Sequence, residues 1–294
     1  MRTYVLYHGN CFDGMCSAWI LSKVYPDATF IPMTYDMKAL DVVQKHDITG
    51  EHRVVMVDFS FKREEMIWLN GVGELLVLDH HKTAEKELEG LPFAKFDMNE
   101  SGASLAWKYY FPEEPIPSLV KFIADRDLWK FELDNSDKIN SYIQSYPMTL
   151  EDYDMLYKEL ELAEGYWHAV AVGEGINRYK KTMVETMCKN AQLRNIGGYL
   201  VPVVNASMLF SEVGEWLCNN FIMPTGELPN FGAYYFDRVV DGIRQWGMRS
   251  RNEFDVSLVA KMYGGGGHKN AAGFQENING SILRNSEVEE SLLK

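Results

Sequence analysis

The sequence is poor in cysteine, in long apolar runs and in positive charge, and each shortage removes a class of protein. Its four cysteines, Cys11, Cys16, Cys188 and Cys218, form no Cys-x-x-Cys pair and no regular framework. That fits reduced thiols in a cytoplasmic protein better than a disulfide scaffold. No stretch approaches the roughly 18 consecutive apolar residues of a membrane span, and the opening MRTYVLYHGN turns polar too early for a signal peptide. A cytoplasmic location with no membrane partner is the expectation. Lys and Arg number 29 against 42 Asp and Glu, a net charge of -13. Proteins that grip long nucleic acid show a basic face, because neutralising many phosphates takes many cations. Long nucleic acid is therefore not expected. Any phosphates would be met few at a time, where metals and a handful of cations supply the positive charge.

What is present is ordinary globular composition, 46% hydrophobic and 24% charged, over 294 residues. That length suits two domains, each with its own core. The first half alternates strand-like and helix-like segments. Tyr4–Tyr7, Thr29–Ile31, Val54–Val57 and Leu75–Leu78 are short apolar runs, and Gly14–Val24 reads as a helix halting before Pro26. Runs apolar on both faces suit strands buried in a parallel sheet with helical crossovers. The expected fold class is α/β. It comprises an N-terminal parallel-sheet domain (1–147), a helical connector (148–197) and a smaller C-terminal α/β domain (198–294) with a GGGGH loop. In the connector, Thr149 resembles an N-cap, and a second helix is expected from Ile176 to Leu193, stopping near Gly197-Gly198. Strands are expected at Tyr199–Val204, Phe231–Phe236 and Ile243–Met248, and helices at Ser211–Phe221 and Phe254–Lys261.

The apolar runs end on chemistry. The first ends in His8 with Asp13 close behind, the third in Asp58, and the fourth in Asp79-His80-His81. In open α/β sheets ligands collect outside the carboxyl ends of the strands, so these residues would converge on one crevice. Several carboxylates there need cations to be tolerated, and Asp with neutral His is a suitable ligand set for divalent metals such as manganese. The run Gly264–His268 would let backbone N–H groups approach a phosphate.

HGNCFDG (His8 to Gly14), VDFS (Val57 to Ser60), DHHKTA (Asp79 to Ala84) and DRDLW (Asp125 to Trp129) follow one another in that order. They resemble the motifs of the DHH phosphoesterases. YGGGGHKNAAGF (Tyr263 to Phe274) is similar to the signature of the DHH-associated C-terminal domain, so the resemblance covers essentially the whole chain, and the nanoRNase branch is the nearest. The resemblance implies two metals per chain, typically Mn2+, with Zn2+, Fe2+, Co2+ or Mg2+ as alternatives. By position it makes His8, Asp13, Asp58, His80 and Asp127 metal ligands. Asp79 would support the cluster, and His81 would contact the scissile phosphate or the bridging water. Arg249, Gly265, Gly266, Gly267 and His268 would bind substrate, and Ser211-Glu212 would open a helix beside it or simply cap it.

Many family members carry two aspartates in the first motif, where this chain has Cys11 two residues before Asp13. Cys11 is either a softer ligand, tilting the site toward Zn or Fe, or a small residue that packs. The activity the resemblance implies is hydrolysis of short oligonucleotides to mononucleotides by two-metal activation of a bridging water. Its partner would be short single-stranded RNA or a small phosphorylated nucleotide, and a homodimer is compatible. A phosphatase or cyclic-dinucleotide phosphodiesterase on the same centre is one alternative; a degenerate nucleotide-binding protein is the other.

Overall fold

The computed structural model describes residues 1–35 and 37–278, so the end of the expected C-terminal domain, 279–294, lies outside the described residues. The chain forms two compact units, one from Met1 to Asn177 and one from Arg178 onward.

The first unit is built on a parallel sheet of β1 (Thr3–His8), β2 (Thr29–Met33), β3 (Arg53–Val57), β4 (Glu74–Asp79) and β5 (Ala94–Phe96), in the order β2-β1-β3-β4-β5. The crossovers run through α1 (Phe12–Val24), α2 (Ala39–His46), α3 (Arg63–Val72) and α4 (Lys82–Glu87). Beyond β5 come α5 (Gly102–Tyr110), α6 (Ser118–Asp127), α7 (Ser136–Ile143) and α8 (Leu150–Leu160). The apolar runs form strands because successive side chains feed opposite layers. Val5, Val55, Val57 and Leu78 enter one core with α1, α5 and α6, whereas Tyr4, Leu6, Val54, Met56 and Val77 enter the other with α2 and α3. After β2 the chain returns to place β3 on the other side of β1. The sheet therefore reverses its winding between β1 and β3, the place where such folds open a crevice.

The Thr149 cap is present: its hydroxyl accepts the Asp152 N–H at 3.1 Å and opens α8. The expected helix from Ile176 to Leu193 is different. One helix, α9, runs Ala163–Cys188, and Gln192–Ile196 is instead a strand, β6. Gly197 and Gly198, at φ 61° and 90°, make the hairpin turn into β7 (Tyr199–Asn205) and are not a helical stop. Two positive φ values are what a two-residue hairpin demands, so the glycines belong to sheet geometry.

The second unit continues with α10 (Phe210–Asn220), β8 (Phe231–Arg238), β9 (Ile243–Ser250), α11 (Val256–Met262), β10 (Gly266–His268) and β11 (Ala271–Asn277). Its sheet order is β10-β11-β9-β8-β7-β6, antiparallel except where β7 meets β8. α11 covers one face and α10 the other. The glycine run closes the last hairpin of this sheet. Gly264 and Gly265 turn the chain, and Gly266–His268 pair antiparallel with β11. A Cβ on Gly265 would fall 2.1 Å from the Gly273 carbonyl, and one on Gly267 would fall 2.6 Å from that of Ala271. These glycines allow a tight edge hairpin.

Gly173, inside α9, touches α7 so closely that a Cβ there would lie 1.9 Å from the Lys138 carbonyl. In an isolated helix, Gly→Ala stabilises by about 1 kcal/mol. Here Gly173→Ala should reverse that sign and cost about 1–3 kcal/mol of overpacking, read as a lower urea midpoint.

Candidate metal centre

The carboxyl ends of β1, β3 and β4 carry the candidate residues, and local backbone constraints aim them inward. A Cβ on Gly14 would meet the His8 carbonyl at 2.2 Å, so only glycine lets α1 fold back onto the end of β1 and set Asp13 beside His8. Asp58 follows β3 at φ 55°, with its N–H donating to the Leu78 carbonyl at 3.0 Å. Left-handed backbone is uncommon outside glycine, though less so for Asp, and strain of this kind gathers at functional sites. Asp127 is the last residue of α6.

His80 Nε2 lies 3.1 Å from Asp58 Oδ1, 3.4 Å from Asp127 Oδ2 and 3.9 Å from Asp13 Oδ2. On the other side of Asp58, His8 Nδ1 stands 3.5 Å from Oδ2. Asp13 and Asp58 are each 1% exposed. Potential ligand atoms fall into three overlapping groups: His8-Cys11-Asp58, Asp58-His80-His81 and Asp13-His80-Asp127.

The electrostatics follow from crowding acids in a dry place. Burial raises the Asp13 pKa well above normal, and the Asp127 and Asp58 charges add to it. Burial also raises Asp127. Burial works the same way on Asp58, but the facing imidazoles of His8 and His80, with His81, reverse it and hold the carboxyl at about 2. For His80, burial opposes the proton, yet the Asp58 contact and the Asp13 and Asp127 charges raise it to about 9. The Cys11 thiol is pushed up by burial and then by Asp58 and Asp13, so it ligates only where a cation displaces its proton.

Hydrogen-bond satisfaction separates the aspartates. Asp79 Oδ1 accepts the His80 N–H at 2.7 Å and the His81 N–H at 3.2 Å, and meets His81 Nδ1 at 2.7 Å. Its Oδ2 accepts the Ser60 hydroxyl at 3.0 Å. In contrast, Asp13 Oδ2, Asp58 Oδ2 and His8 Nδ1 are buried with no hydrogen-bond partner. Buried acceptors left without donors cost heavily, and a divalent cation is the partner that several carboxylates and neutral imidazoles share. The donor set therefore fits a metal. His8, Asp13 and Asp58 have the free atoms to hold it, with His80 and Asp127 beside them; Cys11 Sγ stands within the same group as His8 and Asp58, and Asp79 is already saturated.

Residues outside the quoted motifs also shape the centre. A Cβ on Gly102 would fall 2.5 Å from Asp58 Cβ and 2.9 Å from Asp13 Oδ2, and the Ala103 N–H donates to Asp13 Oδ1 at 3.2 Å. Ser101 caps this helix in a reciprocal box with Ser104. The Glu-Ser-Gly-Ala-Ser stretch at 100–104 shows the cap in sequence, but not that its helix would end on two carboxylates. Asp125, the other Asp of its motif, accepts the Glu132 N–H at 2.9 Å and so holds the loop after α6. In the second unit, register aligns His268 with Ala271 and Ala271 with Arg249. His268 and Arg249 thus share one face with only a methyl between them, about 10 Å apart by strand spacing. Arg249 donates to the Ser211 hydroxyl at 3.2 Å. The N-cap of α10 is Leu209, so Ser211 partners the arginine and is not the cap.

Two outcomes follow. Mn2+ at a hundredfold excess over its dissociation constant should stabilise the protein by about 2.7 kcal/mol, visible as a rise in Tm, and Asp58→Asn should abolish the rise. His80 carries its proton up to about pH 9 but ligates as neutral imidazole, so metal binding at neutral pH expels a proton. Apparent metal affinity, measured by calorimetry, should climb with pH by about tenfold per unit and level off once His80 is neutral.

No family model matches the chain. An uncharacterized protein of Acanthamoeba polyphaga mimivirus is 29% identical over 288 residues, which cover 92% of this chain. The match covers 66% of that relative's length. Among solved structures, RecJ in complex with Mn2+ from Thermus thermophilus aligns at TM-score 0.53 and 17% identity, covering 93% of this chain and 49% of that one. Exonuclease RecJ bound to manganese aligns at TM-score 0.50 and 15% identity, covering 93% and 85%. The α/β architecture of this chain, with its parallel-sheet unit followed by a smaller second-sheet unit, is the fold found in RecJ.

Proposed function

We propose that this protein is a divalent-metal-dependent phosphodiesterase of the DHH type that hydrolyses short oligonucleotides, nanoRNA, to mononucleotides. The observation that carries this reading is the set of partnerless buried atoms, Asp13 Oδ2, Asp58 Oδ2 and His8 Nδ1, gathered at the sheet's carboxyl ends. The fold supports it, since RecJ is an exonuclease bound to manganese. Mn2+ is the first metal to try.

His8, Asp13, Asp58, His80 and Asp127 would hold two metals, with Asp58 facing both sides of the cluster. When bound, such metals polarise a phosphoryl group and supply a nucleophile at neutral pH. The chain's own groups do the rest. Asp79, saturated by Ser60 and by the His80 and His81 N–H groups, fixes the His81 ring through Nδ1. Burial opposes a proton on His81, and the Asp79 contact more than offsets this, raising its pKa. His81 then keeps an Nε2–H that donates to a phosphate oxygen or to the departing ribose oxygen. In the second unit, Arg249 and His268 offer cationic and N–H groups suited to phosphate oxygens, with Ala271 between them in register. The net charge of -13 disfavours long polyanions, so short RNA or a small phosphorylated nucleotide is the fitting substrate.

End-labelled RNAs of about two to ten nucleotides, incubated with Mn2+, provide the test. Wild type should shorten them, fastest for the shortest. His81→Ala should lose about 10²-fold or more in rate, the scale of general acid–base catalysis, while keeping its metal. Intact RNA in the wild-type reaction would refute the proposal, and release of inorganic phosphate alone would move the activity to a phosphatase.

A further inference from the structure

Beside the metal centre lies a cavity of about 280 Å³ that shares His8, Asp13 and Asp127 with it and is walled further by Phe12, Arg126 and Asn140. Arg126 lines this cavity without a partner of its own among the described residues. Two other arginines of this unit and the next are paired with carboxylates, Arg53 with Glu74 and Arg244 with Asp237. Arg63 is tied to the Glu87 and Glu89 carbonyls. Among the described residues, the Arg126 guanidinium has neither a hydrogen bond nor an ion pair; it acts on Asp127 only through its charge. Its place in the last turn of α6 gives it a mild favourable interaction with the helix dipole. That interaction would not require it to line a cavity.

We infer that this cavity is a nucleotide subsite in which Arg126 binds a phosphate oxygen of the substrate lying against Asp13, His80 and Asp127. The inference rests on the phosphodiesterase reading and deepens it. Three observations support it. His8, Asp13 and Asp127, which would hold metal, also line the cavity, so a phosphate at that metal lies within reach of its walls. Its volume is on the scale of a single small ligand, which suits the terminal nucleotide of a chain and not a continuous strand. The guanidinium offers a planar fork of donors, the geometry that matches a phosphate's paired oxygens. Phe12 supplies an apolar surface for the rest of the nucleotide, and Asn140 a polar one. Arg126 is thus a substrate-positioning residue, acting on binding more than on the chemical step.

Arg126→Ala and Arg126→Lys, compared with wild type, provide the test, using a 5′-phosphorylated dinucleotide with Mn2+. KM, kcat and metal content would be measured, along with the dissociation constant of the uncleaved dinucleotide on a His81→Ala background. Losing one charge-assisted contact to phosphate should raise KM and Kd for Arg126→Ala about ten- to hundredfold. The expected change in kcat is under about threefold, with metal content and Tm unchanged, and Arg126→Lys should recover part of the affinity. Unchanged KM and Kd in Arg126→Ala, or loss of metal and Tm in place of affinity, would overturn the assignment. If wild type itself fails to cleave, the phosphodiesterase reading falls, and the dissociation constants still decide Arg126.

Discussion

Everything in the first unit is organised around the difficulty of burying negative charge. Asp13 and Asp58 sit almost fully out of solvent with Asp127 close by, and His80 presents a single nitrogen to all three. One imidazolium proton completes at most one good hydrogen bond, so part of this acidic set stays unsatisfied, as Asp13 Oδ2 and Asp58 Oδ2 show. An isolated buried carboxylate costs several kcal/mol or shifts its pKa until it is neutral. The divergent shifts, with Asp13 raised and Asp58 held low, are that cost divided between neighbours. A fold keeps such an arrangement when a cation joins it.

The surrounding elements are tuned to hold the acids in place. Gly14 lets α1 close onto β1, Gly102 brings the amino end of α5 against both carboxylates, and the left-handed backbone at Asp58 turns its side chain back toward the sheet's crevice. Each is a position where an added side chain or a relaxed backbone would displace a carboxylate. Asp79 plays the opposite part. Buried like the others but saturated, it uses its oxygens to orient the two histidines that follow it. The three consecutive residues 79–81 thus divide into an organiser, a group facing the acids and a ring held by the organiser through Nδ1.

Much of this was legible in the sequence, because each signal was local. The strand runs, the Thr149 cap and the α1 helix all depend on spacing within a few residues, and they stand where spacing placed them. The Gln192–Ile196 strand was not legible. Five residues next to a long helix carry little periodicity of their own, and pairing with β7 decides their state. The glycine run is legible only in part for the same reason: glycine announces backbone freedom but not its use, and here close approach to β11 shapes Gly265 and Gly267. Gly102 and Arg126 carry no such local signal, because their significance lies in what faces them across the fold.

The sequence by itself determined the α/β class and the strand ends that carry Asp and His, since alternation and run length govern how a strand buries its faces. Only the tertiary structure decided which of those acids retain free atoms. Asp125, Asp127 and Asp79 are chemically identical side chains. One caps a loop, one faces His80 and one is saturated by its neighbours. That difference arises from backbone N–H groups and side chains brought together by the fold, and only the assembled structure supplies them.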